Sequence, residues 1–124
     1  MKIIIAGGRG VTDYTVLLNA ITWSGYWGLH RRSIEVVCGM AAGADMLGME
    51  FANRNGLVVH EFPADWDQHG RAAGHIRNAQ MGQFAKDNGG KLLALWDGKS
   101  RGTAGMITWA QKNLLEHYVH RTAL

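Results

Sequence analysis

Arginines set among glycines are the chemistry-bearing pattern of this sequence. Arg9 lies in Gly7-Gly8-Arg9-Gly10, and Arg101 lies in Asp97-Gly98-Lys99-Ser100-Arg101-Gly102-Thr103. Arg71 and Arg77 flank Ala72-Ala73-Gly74. A guanidinium offers planar donors that match phosphate oxygens, and a glycine, lacking Cβ, lets main-chain N–H groups approach the same anion. A third turn, Gly39-Met40-Ala41-Ala42-Gly43-Ala44-Asp45, is equally rich in small residues and ends on a carboxylate. Where such turns open helices, the unpaired first N–H groups and the positive end of the helix dipole complete a phosphate cradle. One isolated glycine corner would serve its turn alone, but three on the same end of a sheet point to an anionic ligand. Gly7, Gly8, Arg9, Gly39, Gly43, Ala44, Asp45, Arg71, Arg77, Gly98, Gly102 and Thr103 are therefore candidate ligand-binding residues.

Weaker constellations accompany these. Asp65, Asp67 and His69 share a polar loop and could do acid–base chemistry or hold ribose hydroxyls, or simply cap a helix. Trp66 and Trp96 stand near the expected crevice edge, where either could stack on a base or serve as core. His117 and His120 are three apart on an expected helix, but with no further ligand in view they read as surface histidines, and no metal is expected. Two sharper motifs fail. A dinucleotide fingerprint continuing from Gly8-Arg9-Gly10 needs a glycine where Asp13 stands, and a P-loop ending at Gly98-Lys99-Ser100 needs one where Leu93 stands. Val37-Cys38-Gly39 also lacks the acidic residue that would end the second strand of a dinucleotide fold.

The elements that must position these groups are legible from periodicity. Apolar runs at Lys2 to Ala6, Ile34 to Cys38, Leu57 to Phe62 and Lys91 to Trp96 show little alternation, as in strands covered on both faces. Between them lie helical stripes: Leu17, Ala20, Ile21, Ser24; then Ala44, Leu47, Gly48, Phe51, Ala52. A weaker one follows at Ile76, Ala79 and Phe84, and a last one at Ile107, Ala110, Leu114 and Tyr118. This alternation predicts an α/β fold, a Rossmann-like three-layer sandwich with a parallel sheet of about four to five strands and helices on both faces. The expected order is 3-2-1-4, with the ligand crevice beyond the carboxyl ends of the strands, where the order reverses.

Bulk properties agree. With 124 residues, 47% hydrophobic, the chain is expected to form a single domain spanning residues 1–124. Its 17 glycines are clustered rather than spread. A net charge of +3 mildly favours anionic ligands, and apart from His30-Arg31-Arg32 the basic residues are scattered. One cysteine, Cys38, excludes an internal disulfide and suits a reducing compartment. No apolar run has the length of a signal-peptide core or a membrane span, so a cytoplasmic protein is expected.

The chain resembles the YspA-type (YpsA-related) branch of the SLOG superfamily. The resemblance rests on Ile5-Ala6-Gly7-Gly8-Arg9, on Val37 through Asp45, and on Phe62-Pro63-Ala64-Asp65-Trp66-Asp67. It continues through His69-Gly70-Arg71-Ala72-Ala73-Gly74, Ile76-Arg77-Asn78 and Met81 to Gly98 and Gly102-Thr103-Ala104. It implies a Rossmann-like domain that binds nucleotides or their derivatives, signalling nucleotides included, and adds Asn78 to the candidate ligand-binding residues. No separate cofactor is implied. It also implies a homodimer, for which Trp23 and Trp27 are candidate contacts.

Among relatives in that superfamily, the Lonely Guy enzymes split the N-glycosidic bond of nucleoside monophosphates with a Pro-Gly-Gly-x-Gly-Thr-x-x-Glu motif. Gly102-Thr103 matches its Gly-Thr, but Met106 stands at the glutamate, and a thioether can neither steady an oxocarbenium ion nor activate water. Catalysis would then need its carboxylate from Asp45, Asp65 or Asp97. A nucleotide sensor or sequestering module is the leading expectation. A phosphoribohydrolase-like enzyme is the second, and a single-stranded nucleic-acid binder, by likeness to DprA, the third.

Overall fold

A computed structural model describes residues 1–28 and 33–122; the basic run His30-Arg31-Arg32 lies outside the described residues. Five parallel strands form one sheet: β1 (Lys2–Gly7), β2 (Glu35–Cys38), β3 (Val59–Glu61), β4 (Lys91–Trp96) and β5 (His117–Arg121), in the order β3-β2-β1-β4-β5. The described residues form five α-helices: α1 (Tyr14–Ser24), α2 (Ala44–Asn55), the single turn α3 (Trp66–His69), α4 (Ala73–Asp87) and α5 (Arg101–Lys112), with a 3-10 turn at Gly70–Ala72 before α4; all but α3 pack on the sheet.

The pleat of β1 sorts the core into two layers. Ile3 and Ile5 face one side and pack with Leu17, Ile21, Leu47 and Phe51 of α1 and α2. Ile4 and Ala6 face the other and pack with Met81, Ala85, Met106 and Ile107 of α4 and α5. Side chains that alternate in this way while both faces are covered give the unbroken apolar runs seen in the sequence. The result is the expected Rossmann-like three-layer sandwich, with strand order reversing between β1 and β4.

Three expectations are corrected. The last helix does not continue through Leu114 to Tyr118. It ends at Lys112, Leu114 follows in the left-handed region (φ 58°) and is 89% exposed, and Tyr118 belongs to β5, paired with Leu93. The helical spacing from Ala110 to Tyr118 is a coincidence that pairing with β4 overrides. His117 and His120 are therefore on a strand, where residues three apart point to opposite faces. On α4 the deepest positions are Ala73, Met81, Gly82 and Ala85, while Ile76, Ala79 and Phe84 are half-buried. Small residues form that face because α5 lies close: a Cβ on Gly82 would strike the ring of Trp109. Finally, Trp27 packs edge-on against Phe51 at 5.2 Å, whereas Trp23 stays 73% exposed. Among the described residues no helix is long and apolar enough to cross a membrane.

Candidate functional site

A crevice of about 680 Å³ opens at the carboxyl ends of the strands, beside the reversal between β1 and β4. That volume is within the range that holds small ligands. Its walls come from the β1–α1 turn, the β2–α2 turn, the long segment between β3 and α4, α4 itself, and the start of α5. Of the residues expected from the sequence, Gly7, Gly8, Arg9, Gly39, Asp45, Arg71, Arg77, Asn78, Gly102 and Thr103 line it. Chain segments as distant in sequence as Ala6 and Met106 thus meet on one cavity.

The β2–α2 turn is the most highly organised wall. Met40 adopts φ 63°, a left-handed conformation uncommon outside glycine. Its N–H points back to Cys38 Sγ (3.4 Å), and the next N–H, of Ala41, donates to Asp45 Oδ2 (3.0 Å). Asp45 is 6% exposed in the first turn of α2 and is the only carboxylate among the described residues lining the crevice. Burial pushes its pKa up to about 6, against the opposing pull of the Ala41 N–H and the Arg77 charge. Arg77, from α4, donates through Nη1 to the carbonyl of Gly39 and through Nε to Asn78 Oδ1 (3.0 Å). Gly39 is the notch between acid and base: its Cβ, if present, would stand 2.7 Å from Arg77 Nη1 and 2.8 Å from Asp45 Oδ2.

The α5 wall is capped from within. Asp97 Oδ1 accepts from the N–H groups of Lys99 and Ser100, each at 2.8 Å, and Ser100 Oγ accepts from Thr103 N–H at 3.4 Å. The Ser100 and Lys99 N–H groups hold the Asp97 carboxyl below the usual carboxylate range. The remaining first-turn donors are the N–H groups of Arg101 and Gly102, of which Gly102 borders the crevice. Asn78 Nδ2 donates to the Gly102 carbonyl (3.3 Å), tying α4 to this corner.

Other expected residues are elsewhere. Gly43 and Ala44 do not line the crevice, because the N-terminus of α2 is already filled: Ala44 N–H donates to the Gly8 carbonyl at 3.2 Å. Gly43 (φ 80°) passes so close to the Gly8 and Arg9 carbonyls that a Cβ would collide with them. Gly98 turns toward the Arg121 guanidinium instead, and Arg101 is exposed outside the cavity. Asp65 accepts from Gln68 N–H (3.0 Å) as the cap of α3, so it and Asp97 both serve the backbone and neither borders the crevice. Asp67 and His69, within α3, are also off its walls, as is Trp96, whose indole N–H donates to the Ser100 carbonyl (3.1 Å).

Trp66 does border the crevice. It is 55% exposed, its ring edge 3.7 Å from where a Cβ of Gly74 would be. Two lining residues with polar side chains escaped sequence reasoning. His75 follows Gly74 on α4 and stands three residues before Asn78, which places both on one face of that helix, a signal present in the sequence. Ser100 stands out in the sequence only as part of its turn. Met106 is buried and lines the cavity, so the position a glutamate would need carries a thioether aimed at the site.

Chemically, the crevice combines three arginines and a histidine with one carboxylate, an exposed indole and glycine backbone. Guanidinium groups can pair with anions, and an open indole face can stack on a flat ring. The family described as YspA, cpYpsA-related SLOG matches residues 1–69 of the chain. The Gene 61 protein of Mycobacterium phage D29 is similar at 33% identity over 118 residues, covering 90% of this chain and 89% of that protein.

Proposed function

Since the chain belongs to the YspA, cpYpsA-related SLOG family, we propose that its crevice binds a phosphate-bearing nucleotide or nucleotide derivative, the protein acting as a sensor or sequestering module. The observation that carries this reading is the charge of the cavity wall, which among the described residues holds Arg9, Arg71 and Arg77 and one acid, Asp45. Their guanidinium groups and the Gly102 corner of α5 take the phosphate. Trp66 offers its open face to the base. Met106 in the wall weighs against N-glycosidic cleavage by the Lonely Guy arrangement. A homodimer, with Trp23 on its interface, fits the exposure of that side chain.

The test is a thermal-unfolding screen with AMP, ADP-ribose, NAD and cyclic nucleotides. A bound ligand at a hundred times its dissociation constant stabilises the fold by about 2.7 kcal/mol. At least one of the four is expected to do so, and no shift with any of them would contradict the proposal.

A further inference from the structure

Among the described residues of the cavity wall, the cationic groups explain how phosphate is held, but Asp45 works against them. A carboxylate buried to 6% exposure beside an anion site repels the ligand it helps to enclose. It costs stability in the empty protein and is not needed as the cap of α2, whose first N–H is satisfied by Gly8. A buried acid in a binding wall is compensated when the ligand brings it a hydrogen-bond donor. On a nucleotide the donors are sugar hydroxyls and the polar edge of the base. The base is wide and flat and suits the open rim at Trp66. The group that reaches Asp45 must be small, because the carboxylate shares the narrow notch at Gly39 with Arg77.

From this, and resting on the nucleotide reading above, we infer that Asp45 selects the sugar: its carboxylate accepts a hydrogen bond from a ribose hydroxyl, so the site prefers ribonucleotides to deoxyribonucleotides. Arg77, held at the notch through the Gly39 carbonyl, then sets the phosphate and the sugar in register, since one end of the ligand must meet the cation and the neighbouring part the anion. Bare phosphate lacks the ribose hydroxyls and is expected to bind more weakly than AMP.

Titration of AMP, 2′-deoxy-AMP, 3′-deoxy-AMP and inorganic phosphate into the intact protein by calorimetry tests this. AMP is expected to bind at least tenfold more tightly than one of the two deoxynucleotides. The ratio should narrow in Asp45→Asn, which keeps an acceptor for Ala41 N–H, and fall to within twofold in Asp45→Ala. Thermal unfolding shows whether each variant is folded.

A pH series separates recognition from a scaffold role. The charged or titratable groups around Asp45 are Arg77 on α4 and Cys38 on β2, with Glu61 beyond Cys38 on β3, while Arg9 in the β1–α1 turn, Arg71 before α4 and His75 on α4 line the same cavity. Any other change of charge in the wall or on the ligand phosphate affects AMP and its deoxy analogues alike and cancels in their ratio. The ratio itself should narrow from pH 7.5 to pH 5 in the wild type and stay flat in Asp45→Ala. Equal binding of AMP and both deoxynucleotides overturns the inference and leaves the nucleotide reading standing. So does a preference that survives in Asp45→Ala. Failure of AMP and both deoxynucleotides to bind overturns the inference, and the nucleotide reading then stands or falls with the screen against ADP-ribose, NAD and cyclic nucleotides.

Discussion

Asp45 and Arg77 meet across Gly39, a carboxylate from the first turn of α2 and a guanidinium from α4 both standing within 2.8 Å of the place a glycine side chain would fill. The two charges are brought together by segments on opposite faces of the sheet. Nothing in the core requires this meeting, since both apolar clusters close without either residue. It is a property of the crevice.

Asp45 makes stability depend on pH in the direction unusual for a carboxylate. Its pKa rises from 3.8 to about 6 on folding, so the fold favours the protonated form. No cost is felt below about pH 4. Between about pH 4 and about pH 6 each step of one pH unit adds roughly 1.4 kcal/mol, and above that range the cost levels off. Ligand-free Asp45→Asn should therefore exceed the wild type in stability by about 2–3 kcal/mol at pH 7.5, with the difference vanishing near pH 4. Urea unfolding of both proteins at the two pH values measures it.

Arg77→Gln should weaken AMP binding by roughly tenfold to a hundredfold, the range for loss of a charge-assisted hydrogen bond. The substitution also removes the bond to the Gly39 carbonyl, so a fall in melting temperature is expected beside the fall in affinity. Calorimetric titration and thermal unfolding report the two effects separately.

Two glycines at the helix starts should respond oppositely to alanine. Gly43→Ala forces a methyl group at φ 80° against the Gly8 and Arg9 carbonyls and should cost about 1–3 kcal/mol or more. Around Gly102 a Cβ meets nothing within 4 Å. Gly102→Ala should leave the fold as stable or up to about 1 kcal/mol more stable, through helix propensity. Its AMP affinity should nonetheless drop, because the methyl group enters the cavity.

Trp66→Ala should lower AMP affinity by about 1–3 kcal/mol, the value of stacking one base, with little change in melting temperature because over half the side chain is exposed. Trp66→Phe should recover most of the loss. Unchanged affinity in the alanine variant would remove the indole from the site.

Much of this was legible in the sequence. The four apolar runs, three of them ending in glycine turns, placed four strands, their order and the carboxyl-end crevice, because strands buried on both faces leave long apolar runs. β5 was not, since His117-Tyr118-Val119-His120-Arg121 is a half-buried edge strand whose partner, β4, is the only thing that makes it a strand. Arg9, Arg71 and Arg77 could be named from residue type, but Arg101 could not be told from them, as its direction depends on where α5 starts. Gly43 and Ala44 resemble a phosphate cradle in sequence because nothing there reveals that the Gly8 carbonyl already accepts the N–H at that helix end. Of Asp45, Asp65 and Asp97, three-dimensional proximity alone sets Asp45 in the cavity.

A nucleotide phosphate is proposed to lodge where the β1–α1, β2–α2 and β4–α5 turns meet. Titration of the isotopically labelled protein with AMP or ADP-ribose, followed amide by amide in NMR spectra, tests it most directly. The largest shifts are expected at Gly8, Gly39, Asp45, Arg77 and Gly102. Saturable shifts centred instead on Trp23 or Leu114, with those five amides unmoved, would contradict it.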